Sequence, residues 1–171
     1  MSIEIVEEPV LKPSDTLISV GNIPSKNERE WLLDLCAQII VDNKQYRFDQ
    51  CLLFAMLIKI GLNTLGIDAW VHIGRASYFS NETGEKYFSW DHAWVQTEWD
   101  LIDGNIDSLF RNPKIVTHSS IEPYWGPLSE LPKNRRYKDY GILDEYEDLA
   151  KDMNNELVLY TPILKKGMKL H

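Results

Sequence analysis

Apolar positions recur most densely between 50 and 65. Leu52, Leu53, Ala55, Met56, Leu57, Ile60 and Leu62 cover most of a helical cylinder, so the pattern predicts a helix buried nearly all round. Asp49 is placed to cap its start and Gly66 to end it. Upstream, Ser25-Lys26-Asn27-Glu28 matches a capping box, and Trp31, Leu32, Leu35, Ile39 and Ile40 follow at helical spacing. That predicts a helix over about 26–42. Before it, Pro9, Pro13 and Pro24 break the chain, with room for a short edge strand at 18–20.

Beyond Gly66 the period shortens to two. Strands are expected at 69–74, 86–96 and 99–103, with a turn cluster at 80–84. From 113 to 132 the chain is rich in proline and turn residues. An acidic helix is expected within 140–154 and a last short strand at 157–160. No repeat or linker divides the sequence. The expectation is one α+β domain over 1–171, with a core at about 26–110 and an extension over 111–171 that decorates a cleft.

Composition narrows the partners. The chain has 26 acidic and 18 basic residues, a formal net charge of -8, which argues against nucleic acid and anionic membranes. The basic string Lys133-Asn134-Arg135-Arg136 reads as a solvated loop. Two cysteines, Cys36 and Cys51, make neither a disulfide framework nor a CxxC site. No signal-peptide pattern or membrane-length apolar run is visible, so a cytoplasmic protein is expected.

The chemistry then rests on Cys51, in the first turn of the buried helix. Unpaired amides and the helix dipole favour a thiolate there, and the same amides can donate to an oxyanion. Gln50 lies beside this point. Cys36 sits in the apolar stripe of the first helix and reads as core. Among His72, His92, His118 and His171, spacing favours His92. If the chain reverses around Thr97-Glu98 through a two- or four-residue loop, His92 faces Asp103 across the hairpin, Cβ atoms roughly 5 Å apart. Asp103 would then orient the ring. Asp91 points to the other face, Asp107 is a fallback, and His72 reads as a surface or core-edge residue. Trp90, Trp94 and Trp99 read first as core.

Four strings carry a resemblance: Gln50-Cys51 with Phe54-Ala55, Leu65-Gly66-Ile67-Asp68-Ala69, His92-Ala93-Trp94-Val95, and Trp99-Asp100-Leu101-Ile102-Asp103. Together they resemble the transglutaminase-like superfamily of papain-fold thiol enzymes over about residues 46–108. Part of the pattern is also similar to leader peptidases of lasso-peptide biosynthesis. The resemblance implies a central helix carrying the cysteine, packed on an antiparallel sheet carrying histidine and aspartate. It assigns nucleophile to Cys51, base and acid to His92 and orienter to Asp103. Gln50 and Trp94, read from their positions, are further oxyanion or cleft candidates. It implies acyl transfer through a thioester on a peptide or protein substrate, with no metal or organic cofactor. Two alternatives remain: a catalytically silent binding or immunity module, and an acyltransferase of the arylamine N-acetyltransferase type. The latter needs a coenzyme A site, for which no basic or glycine-rich segment is visible. Oligomeric state is open.

Overall fold

The computed structural model describes residues 18–19, 25–44, 50–104 and 123–170. Asp49, Asp107, His118, His171 and most of the N-terminal segment lie outside the described residues. In chain order the elements are β1 (Ile18–Ser19), α1 (Lys26–Lys44), α2 (Cys51–Thr64), β2 (Ala69–Phe79), β3 (Lys86–Thr97), β4 (Leu101–Asp103), β5 (Tyr124–Gly126), β6 (Arg135–Ile142) and α3 (Glu147–Lys169). The architecture is α+β. One six-stranded sheet has the order β1-β5-β4-β3-β2-β6, antiparallel throughout except where β1 meets β5.

Local chemistry sets the helix ends. Ser25 caps α1, its hydroxyl accepting from the Glu28 amide at 3.3 Å and donating to the Glu28 carboxylate at 3.0 Å. At the end of α2, Gly66 takes φ 82°. The Gly66 amide then donates to Asn63 O and the Ile67 amide to Leu62 O, a Schellman motif. Gly61 lets α1 approach: a Cβ there would meet Leu32 Cδ1 at 2.6 Å. Six consecutive residues of α2, Leu53 to Ile58, are buried, as the all-round apolar pattern predicts.

The two faces of the sheet bury different sets. Ala69, Val71, Ala93, Val95, Ile102 and Trp125 join the helices in the main core, whereas Trp94, Leu101 and Tyr124 form a second cluster with Tyr137 packed on it. Strand alternation sends neighbours such as Ala93 and Trp94 to opposite faces.

Three expectations are corrected. The basic string at 133–136 does not lie wholly in a solvated loop: it runs from a turn into β6, and Arg135 is buried. The period of two at Arg135, Tyr137 and Asp139 belongs to a strand paired with β2, not to an exposed loop. The predicted strand at 157–160 is part of α3. Leu157, Tyr160 and Leu164 recur at helical spacing, and Tyr160 and Leu164 are buried. This helical burial overrides the strand preference of a short apolar run, even with Pro162 inside the helix. Finally, residues 123–170 do not merely decorate a cleft. They supply β5 and β6 to the sheet and α3 to the helical layer. Among the described residues, no helix is long and apolar enough to cross a membrane.

Candidate active site

The β3–β4 hairpin sets the first two groups. Its register pairs Val95 with Ile102 and Gln96 with Leu101, and the Thr97 amide donates to Asp100 O at 2.9 Å. The loop is therefore Glu98–Trp99, with Trp99 70% exposed at its tip. This differs by two residues from the reversal around Thr97-Glu98, so Asp103 falls opposite Trp94 and diagonal to His92. A shift of two preserves the face, since the side-chain period is two. His92 and Asp103 still meet: Nε2 lies 2.8 Å from Asp103 Oδ2, with side-chain exposures of 0% and 2%.

A third group joins them from β6. The Tyr137 hydroxyl donates to Asp103 Oδ2 at 2.6 Å. Tyr137 also stacks near His92, ring centroids 6.5 Å apart, and packs on Trp94 at 5.0 Å. Sequence reading missed Tyr137 because it grouped 133–136 as loop. The alternation from Arg135 to Asp139 was the available signal. Gly74 makes the β2–β6 approach possible. A Cβ there would run into the Lys138 carbonyl oxygen and meet the Trp94 ring at 2.7 Å, next to a register shift between Ile73 and Gly74.

Electrostatics favour a charged pair. Burial pulls the His92 pKa down, but the charge and hydrogen bond of Asp103, with smaller contributions from Cys51, raise it to about 10. Burial pushes Asp103 up, yet His92, the Tyr137 hydroxyl and the Arg135 charge together hold it below the usual carboxylate range. Near neutral pH the site therefore holds imidazolium and carboxylate. Asp103 Oδ1 and His92 Nδ1 are buried with no hydrogen-bond partner among the described residues.

Cys51 opens α2, half-buried, beside that imidazole. Its sulfur adds to the forces keeping His92 protonated. The contact is close but not closed, because Nδ1 does not make a hydrogen bond of full geometry. Such bonds are often long before substrate arrives. Where β4 ends, Gly104 lets the chain pass tightly under α1 and α2: a Cβ there would meet Phe54 at 2.7 Å and Leu33 at 2.9 Å. Cys51, Ala93, Trp94, Asp103 and Gly104 border one small cavity of about 10 Å³. The first intrahelical bond of α2 runs from Phe54 N to Gln50 O at 2.8 Å, and Gln50 makes no side-chain cap. The amides of residues 51–53 thus precede the helical ladder and are not capped by that side chain.

The other candidates separate cleanly. Trp94 borders the cavity, and its indole N–H donates to Gln96 Oε1 at 3.1 Å. His72 lies on the interior strand β2, half-buried, bonded through Nδ1 to Asp139 at 2.7 Å and stacked on Trp94. Asp91 points outward to Arg75. Cys36 is fully buried and its thiol pKa is pushed up by burial, which fits a core role. A larger cavity of about 590 Å³ lies past the far end of α2, against Trp31, Ile60, Leu65 and Met168. It is roughly 20 Å from Cys51 by the helical rise and holds none of these chemical groups.

No family model and no curated protein matches the sequence. The fold is similar to a solved structure described as "The crystal structure of genomics APC5867". The TM-score is 0.63 at 10% identity, covering 88% of this chain and 81% of that one. At that identity the similarity speaks to the fold alone.

Proposed function

We propose that this chain is a cysteine-dependent acyl-transfer enzyme with a transglutaminase-like, papain-type core, acting on a peptide or protein substrate. One observation carries the reading: a fully buried His92–Asp103 ion pair presents its remaining ring nitrogen, without a full hydrogen bond among the described residues, beside a cysteine at a helix start that the Gln50 side chain leaves free.

The charge state sets the order of steps. An imidazolium cannot take a proton, so the form that attacks is the Cys51 thiolate, with His92-H⁺ beside it. The thiolate attacks the acyl carbon, and amides of the first turn of α2 receive the developing oxyanion. His92 gives its proton to the leaving amine as the C–N bond breaks, leaving a thioester. Water or an amine then attacks, His92 takes back a proton, and the thiolate leaves. Asp103 stays ionised throughout, steadying the ring, and Tyr137 holds Asp103.

Iodoacetamide tests the thiol without knowledge of the substrate. Native protein at pH 6–7 should be alkylated at Cys51 faster than glutathione, with His92→Gln and Asp103→Asn both slowing the reaction. Labelling no faster than glutathione in folded protein would refute the reading. It would favour a catalytically silent binding module, a second reading that the tightness of the cavity beside Cys51 supports.

A further inference from the structure

The outer face of α3 carries exposed apolar side chains. Tyr160 and Leu164 turn inward, yet Val158 is 73% exposed, Leu159 65% and Ile163 43%, with Pro162 exposed between them. Apolar side chains on four adjoining solvent-facing positions are unusual for a helix whose inner stripe already fills the core. The charges around them are mostly sorted by end. Glu147, Asp148, Asp152 and Glu156 lie before the apolar patch with one lysine, Lys151, among them, and Lys165, Lys166 and Lys169 lie after it.

Register turns this sorting into a prediction. Asp152, Leu159 and Lys166 are spaced by seven residues, so they fall on nearly one line along the helix. We infer that α3 pairs antiparallel with α3 of a second copy about a two-fold axis through Leu159. Leu159 then meets its own equivalent, Ile163 meets Asn155, and Asp152 meets Lys166 twice, once on each side of the axis. Such self-complementarity is what a two-fold contact requires. An anionic membrane fits less well, because the acidic half of the same line and the net charge of -8 would both be repelled.

Sedimentation velocity on the full chain tests this, over a concentration series reaching about 200 µM because interfaces of this size associate weakly. The wild type should shift from monomer to dimer. Leu159→Asp should be monomeric throughout. Asp152→Lys and Lys166→Asp should each weaken the dimer at least tenfold, and the double exchange should restore it. All these positions are exposed, and far-UV circular dichroism should show an unchanged fold. A wild type that stays monomeric, or binds anionic vesicles as a monomer, overturns the inference. So does a dimer indifferent to Leu159→Asp or to either single charge reversal.

Discussion

Replacing Asp103 by Asn keeps the shape of the site and removes one buried charge. In the wild type, His92 is held at a pKa of about 10 against an ordinary 6.5, with no exposed side-chain surface to dilute the effect. At about 1.4 kcal/mol per pH unit, that gap corresponds to about 5 kcal/mol. Breaking a buried ion pair by removing one partner costs about 3–5 kcal/mol, so both routes give the same scale. Without the carboxylate, burial dominates and the imidazole loses its proton below pH 6.5. Long-range ¹H–¹⁵N NMR of the ring nitrogens should show wild-type His92 charged through pH 8 and titrating near 10. The variant should be neutral at pH 7 and destabilised by about 3–5 kcal/mol in urea. A wild-type ring that titrates near 6.5, or a variant within about 1 kcal/mol of wild type, would refute the charged-pair account.

The same pair gives stability a defined pH window. Its folded imidazole pKa lies above the unfolded value, so the histidine contribution is whole below about pH 6.5 and is lost as pH rises through about 10. Asp103 lies below its unfolded value, so its share is present above about pH 4 and is lost as pH falls through the folded value; urea midpoints across pH should trace this plateau. Tyr137→Phe keeps the ring on Trp94 but deletes a bond to a buried carboxylate, and should cost about 1.5–3 kcal/mol in the same assay. Gly74→Ala places a methyl against the Lys138 carbonyl and Trp94, and should cost more than about 2 kcal/mol or prevent folding. Cys51→Ala should abolish turnover with an unchanged circular dichroism spectrum and thermal midpoint, and mass spectrometry after native alkylation of the wild type should find one label, on Cys51, with Cys36 modified only after unfolding.

Much of the candidate site could be read in the sequence because its parts are local. The helix start at Cys51 follows from apolar periodicity, and the Gly66 end from left-handed backbone preference. His92 and Asp103 share a face for reasons of parity alone, which is why a register error of two residues left their meeting intact. What could not be read depends on distant partners. β6 has only two buried or half-buried alternating positions before its glycine, so Arg135 and Tyr137 look like loop until β2 is known to lie beside them. The helix through Leu157 to Tyr160 is decided by burial against α1 and α2, which a short apolar run does not announce.

Strand order carries one last implication. By the time residue 104 is synthesised, the nascent chain already contains Cys51, His92 and Asp103. The strand that seals their far side, β6, has not yet been made, and neither has the phenol that braces the carboxylate. Water has access to the pair until the C-terminal third emerges and docks on the edge of β2. Assembly of the reactive constellation is thereby deferred to the end of translation, so a truncated product would carry all three residues without the dry environment that binds them together.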